Sequence, residues 1–255
     1  MADAPTLDRP VVSSVTRLAR HAQHVVAECD HGVEEAAVCV LRGFDGESRR
    51  MAAEVRSRLS RMHIDATDIP APLVTSGAEG APTEHLCAYI QVSDGGVEVD
   101  RVAASSGTPL VRLARPDESR GVPREIAAMH ATWLHDGRDD RTFPSAVGRV
   151  PSLAFEALLI TPNQPETGEL TVRLGDPWGR GLPPGTSVKI RCLPEALLVE
   201  AIGIHGTETT WLSRSVEVVQ RAGLHRVFRD GLSVADLPNG VRIDHRPGAL
   251  LLHAV

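Results

Sequence analysis

Residues 150–192 read VPSLAFEALLITPNQPETGELTVRLGDPWGRGLPPGTSVKIRC. Val150 to Ile160 is an apolar run that reaches Thr161-Pro162. Pro162 and Pro165 each remove a backbone donor and fix φ, so the run is expected to stop there in an extended turn. Gly168, Gly175, Gly179, Gly181 and Pro183-Pro184-Gly185 then punctuate short segments at strand spacing. From Ser187 to Cys192 the residues alternate, with Val188 and Ile190 on one side of a pleat and Lys189 and Arg191 on the other. This is the pattern of a β-rich block closed by tight turns.

The 255 residues are 42% hydrophobic and 24% charged, the composition of a globular protein that holds one large domain or two small ones. A net charge of -6 and a pI near 6.0 lack the basic footprint of a nucleic-acid protein. Aromatic residues at 3% leave no stacking platform for single strands. No apolar run approaches the roughly 20 residues of a membrane span, and residues 1–12 lack a signal-peptide centre. The expected location is therefore cytoplasmic. Cys29, Cys39, Cys87 and Cys192 are far apart in sequence and read as reduced core thiols. Lys189 is the only lysine, which excludes a Walker A lysine. No G-x-S-x-G, H-E-x-x-H or C-x-x-C pair is present.

Along the chain, Ser13 or Ser14 caps a predicted helix to about Cys29, with Val15, Leu18, Ala22, Val25 and Val26 on one face. His21 and His24 share a face of that helix. They read as polar surface, with a metal site left open and no metal assigned. AAVCVLR (36–42) reads as a buried strand. A helix with Met51, Val55, Leu59 and Met62 at helical spacing follows, then a short strand from His63 to Ile69. Strand, helix, strand begins a parallel sheet. Residues 70–84 read as loop or linker. HLCAYIQV (85–92) is a strand, SDGG (93–96) a turn, VEVDRVAASS (97–106) a helix and TPLVRLA (108–114) a strand. A Gly-rich turn between strand and helix is where an α/β sheet presents N–H groups to phosphate, so Ser93, Asp94, Gly95 and Gly96 are the candidate cofactor-binding residues. The competing reading is a β-turn whose aspartate caps the next helix.

Three stretches resemble the NAD kinase family. The order Thr161-Pro162-x-x-Pro165, spacer, Leu182-Pro183, then Val188-x-Ile190 is similar to its second half. Ser106-Gly107-Thr108-Pro109-Leu110-Val111 is similar to its S/A-G-x-P-apolar segment. The C-terminal order of Asp230-Gly231, short strand, Asn239-Gly240, Val241-x-Ile243 and apolar strand resembles the family's closing β segment. There Asp230-Gly231 and Asn239-Gly240 read as hairpin turns.

The resemblance implies a small Rossmann-like parallel α/β domain followed by a β-rich, sandwich-like domain. We expect residues 1–34 to be tail and helix, 35–125 the α/β domain and 126–255 the β domain. It also implies ATP with Mg and NAD(P) as ligands.

The family has a Gly-Gly-Asp-Gly-Thr turn after this strand. Aligned without a gap, Ser93, Asp94, Gly95, Gly96 and Val97 take the five positions. Gly95 then stands where the family has its base towards the ribose 2′-hydroxyl, and Asp94 is one residue early. One residue moves a carboxylate by about 3.8 Å along the chain, against the roughly 3 Å reach of proton transfer. Between residues 115 and 150 the family's Asn-Glu pair and Gly-Ser-Thr-Ala-Tyr stretch are missing. His135-Asp136-Gly137 and Arg141-Thr142-Phe143 resemble the hairpin leading to the latter. His130, His135, Asp136, Asp139 and Asp140 read as a solvated turn rather than a metal site.

Three functions follow. The first is an NAD-kinase-like pseudoenzyme that binds a nucleotide or a partner kinase. The second is an active kinase of NAD or a related hydroxylated substrate, with Asp94 as catalytic base. The third is a structural subunit of a homo- or hetero-oligomer, joined through an exposed apolar strand from Leu250 to Val255.

Overall fold

The computed structural model describes residues 9–29, 36–76, 85–93, 96–116, 118–135, 138–142, 153–164, 166–175, 178–203, 205–237 and 239–255. The chain divides into two compact units, Met1–Glu125 with Leu250–Val255, and Ile126–Ala249. Among the described residues no helix is long and apolar enough to cross a membrane.

The first unit runs α1 (Arg9–Ala27), β1 (Ala37–Arg42), α2 (Gly46–Ser60), β2 (Asp65–Pro70), α3 (Ala71–Ser76), β3 (Leu86–Gln91), α4 (Gly96–Ser106) and β4 (Leu110–Arg112). Helix α1 forms on the predicted apolar stripe, with Val15, Leu18, Ala22, Val25 and Val26 all buried, but it begins at Arg9, so Ser13 and Ser14 lie within it and do not cap it. Asp45 caps α2, its carboxylate accepting from the Ser48 amide at 2.7 Å. Strand β1 pairs in parallel with β2 on one side and β3 on the other, and β3 pairs in parallel with β4. Val38, Val40, Ala88 and Ile90 pack with Leu18, Val25, Met51 and Val55 of α1 and α2. The expected loop at 70–84 is corrected at its start, where α3 forms. Pro72 is tolerated there because the first turn of a helix needs no donor from it.

The second unit carries β5 (Arg124–His135), β6 (Arg138–Thr142), β7 (Leu153–Ala154), β8 (Ala157–Pro162), β9 (Glu169–Arg173), β10 (Arg180–Gly181), β11 (Ser187–Cys192), β12 (Leu197–Gly203), β13 (Gly206–Ser213), β14 (Ser215–Ala222), β15 (His225–Arg229), β16 (Leu232–Asp236) and β17 (Gly240–Ala254). One sheet has the order β13-β12-β11-β8-β15-β16. In the other, β14 lies between β9 and β17, β10 adds to β9, and β5 pairs with β17, β6 and β7. Leu158, Ile160, Val188 and Ile190 of the first sheet share one core with Val172, Val216, Val218, Val241 and Ile243 of the second. The expected hairpin after His135 is present, since β5 and β6 pair antiparallel.

Several sequence readings need correction. The apolar run from Val150 does not continue as one element to Ile160; Phe155 and Glu156 separate β7 from β8, which extends through Pro162. Asp230 explains the break. Its carboxylate accepts from the amides of Phe155 (3.3 Å), Glu156 (2.8 Å) and Ala157 (3.0 Å). Asp230 and Gly231 have φ of 48° and 82°, a two-residue turn joining β15 to β16 as expected. Asn239-Gly240 is not a second such turn. β16 pairs with β15 in one sheet, whereas Gly240 opens β17 opposite Val219 in the other. A Cβ at Gly240 would lie 2.7 Å from the Val218 carbonyl oxygen, so glycine serves close backbone approach there. β13 carries Thr207, Thr209 and Thr210 on an exposed edge, paired only with β12, and so lacks an apolar signal. The strand from Leu250 to Val255 is not an exposed edge. Leu252, His253 and Ala254 pair in parallel with Leu110, Val111 and Arg112, and Leu250, Leu252, Ala254 and Val255 are buried.

Replacing Asp230 with alanine strands three amides at the start of β8. The expected loss is about 2–3 kcal/mol, seen as a lowered urea midpoint at unchanged slope, with Asp230→Asn losing less than half of that.

Candidate functional site

The strand order β2-β1-β3-β4 places the connection from β1 through α2 to β2 on one side of β1, while the connection from β3 through α4 to β4 runs the other way. Such a reversal opens a crevice outside the carboxyl ends of the two central strands, where open parallel sheets take ligands. Gly43 follows β1 there, and Ser93 follows β3. A Cβ added to Gly43 would lie 2.5 Å from an Asp45 carboxylate oxygen and 3.1 Å from the Ser48 hydroxyl, so a side chain there would disturb the cap of α2.

A cleft of about 460 Å³ opens at this edge, within the range of small-ligand sites. Gln91, Val92 and Ser93 line it from β3 and its exit, and Arg112, Leu113, Arg115 and Pro116 from β4 and the segment after it. Of the four expected cofactor-binding residues, Ser93 is half-buried in this lining. Gly96 is the first residue of α4. Asp94, the expected catalytic base, and Gly95 lie outside the described residues.

The floor of the cleft is fixed by Arg112, which is buried. Its Nη1 donates to Asp100 of α4 at 2.7 Å, and its Nη2 to Glu118 at 2.5 Å. The Arg115 amide donates to the other Glu118 oxygen at 3.0 Å. Burial pushes the Asp100 carboxyl above its ordinary value, outweighing the attraction of Arg112. Burial works the same way on Glu118, but there the Arg115 amide and the Arg112 guanidinium prevail and hold the carboxyl low. Arg112 also resists the effect of burial and stays charged, because both carboxylates face it. Arg115 lines the mouth as an exposed cation.

Other chemistry falls away. Burial pushes the Cys39 and Cys87 thiols up to about 12, and Cys192 to about 11, so none supplies a thiolate near neutral pH. Among the described residues no three His, Cys, Asp or Glu side chains gather as metal ligands. The His21 and His24 rings stand 6.4 Å apart edge to face, with His21 Nδ1 donating to the Arg17 carbonyl at 3.2 Å. His130 is half-buried on β5, its pKa lowered by burial. The side chains of His135, Asp136, Asp139 and Asp140 lie outside the described residues. Gln91 and Arg112 went unsingled in the sequence. A polar residue ending an otherwise apolar strand was the available signal for each.

No family model and no curated protein sequence matches the chain. Among solved structures, it is similar to yeast NADH kinase complexed with NADH, with a TM-score of 0.53 at 11% identity, over 86% of this chain and 83% of that one. At that identity the likeness is one of fold: a mixed α/β protein of NAD-kinase-like architecture.

The two carboxylates of the cleft floor predict opposite pH behaviour. Glu118 titrates below its ordinary 4.5 in the fold, so its stabilisation is complete above that value and is lost as pH falls through the depressed one. Asp100 titrates above its ordinary 3.8, so it costs stability at neutral pH and regains it on protonation. Urea unfolding of Glu118→Gln should show a deficit at neutral pH that closes as the pH is taken down below 4.5. Asp100→Asn should show the smaller deficit at neutral pH.

Proposed function

We propose that this chain is an NAD-kinase-like nucleotide-binding protein that has lost phosphotransfer. In this reading a Rossmann-like α/β unit carries the ligand, and a sandwich-like β unit completes the fold. The observation that carries it is the cleft at the carboxyl ends of β3 and β4, whose described lining contains no carboxylate. Asp100 and Glu118, just behind that lining, are both committed to Arg112. A general base must be free to take a proton, and a metal-bound triphosphate needs oxygen ligands. The described lining supplies no carboxylate for either task, and Gly95 stands at the family's base position in the sequence. Ser93, the start of α4 and Arg115 remain to hold a nucleotide. The solved NADH kinase was complexed with NADH, which makes NADH, NAD and ATP the first ligands to try. We place the protein in the cytoplasm, where these ligands and unpaired thiols coexist.

The rival reading keeps Asp94 as an active base. Calorimetric titration with ATP, NADH, NAD and NADP, beside an assay of NAD and NADH phosphorylation with Mg and ATP, separates the two. We expect heat of binding with at least one nucleotide and no turnover. Phosphorylation at about 1 s⁻¹ or faster, abolished in Asp94→Asn, would establish the rival. The absence of heat with every nucleotide would remove both and leave a structural role.

A further inference from the structure

We propose that Gln91 and Arg112 form a subsite on the floor of the cleft that recognises a neutral group able both to donate and to accept a hydrogen bond, such as a sugar hydroxyl or the amide edge of a base. The inference rests on the reading that the cleft takes a nucleotide, and it specifies which part of that nucleotide the floor contacts. Gln91 and Arg112 are register partners on adjacent parallel strands, so their side chains leave the sheet on the same face. That face is the one towards α4, because Arg112 reaches Asp100 there. Both residues are at least nine-tenths buried, at 5% exposure each, and both line the cleft.

Each keeps one buried polar atom without a partner: Oε1 of Gln91, an acceptor, and Nε of Arg112, a donor. Buried orphans of this kind are rare because each forfeits its hydration without a replacement bond. The two atoms belong to register partners that both line the cleft and do not bond to each other, so one group that both donates and accepts would satisfy the pair. A hydroxyl does so, its oxygen accepting from Nε–H and its proton going to Oε1. An amide edge does so with its carbonyl and its N–H. An ionised phosphate oxygen does not, since it has no proton to give to Oε1. Nor does net charge favour phosphate at this point, because Asp100 and Glu118 offset Arg112. The phosphate end of a nucleotide therefore belongs towards Ser93 and Gly96, and its sugar or base towards Gln91.

The test uses the full chain and two probes, ATP and inorganic tripolyphosphate, which share the phosphates and differ in the hydroxyls and base. Gln91→Met keeps length and flexibility but removes the acceptor; Gln91→Leu serves as a second variant. In the ligand-free protein, removing an unsatisfied acceptor should raise Tm by about 2–4 °C. Calorimetric affinity for ATP should fall about fivefold to tenfold, with affinity for tripolyphosphate unchanged. A lowered Tm in both variants would mean that the amide holds the fold together, and would overturn the subsite. Equal losses for both probes, or unchanged ATP affinity, would overturn it as well while leaving nucleotide binding intact. No heat from ATP with the wild-type chain would overturn the subsite, and no heat from NADH, NAD or NADP either would overturn the nucleotide reading with it.

Discussion

The first unit depends on one buried guanidinium. Arg112 ends a strand of only three residues, and it ties that strand to α4 through Asp100 and to the following segment through Glu118. Two carboxylates taken from water against one cation leave little net gain, since desolvation cancels most of the Coulombic attraction. The value of the arrangement is positional. Removing Arg112 leaves two carboxylates without their cation, and removing either carboxylate cuts one of its two ties, so β4, α4 and Glu118 hold a single geometry. The chain end is fixed to the same place, with the Val255 amide donating to the Arg112 carbonyl at 2.9 Å and the Ala114 amide to the Val255 carbonyl at 2.9 Å.

That geometry also limits chemistry. The carboxylates nearest the cleft floor are spent on Arg112, and the residues facing the open space are an amide, a hydroxyl, a cation and apolar groups. A kinase of NAD-like substrates needs a base at the ribose and a site for metal-bound phosphates. In the reading proposed above, the described lining serves binding, since it carries no carboxylate.

Much of this was legible in the sequence, and what was missed has physical causes. The stripe on α1, the buried strands β1 and β3 and the alternation in β11 follow directly from side-chain period, and each formed where expected. Asp230-Gly231 was legible because its positive φ values restrict the residue types. Asn239-Gly240 carries the same dipeptide signal for a different reason, a crossing between sheets where backbones nearly touch. The strand at Leu250–Val255 looked exposed because its partner β4 lies about 140 residues earlier, and local pattern holds no record of such pairing. At the site, Ser93 was found through the glycine turn. Arg112 and Gln91 were not, since a polar residue at a strand end looks the same in sequence whether it faces solvent or a cleft floor.

The central claim is that ligand binding survives at the carboxyl ends of β3 and β4. Hydrogen–deuterium exchange of the full chain, with and without saturating ATP or NADH, tests it most directly. Protection confined to peptides covering residues 91–100 and 112–118 is the result this account predicts. Exchange that is unchanged there, or protection found only in the β-rich unit, would contradict it.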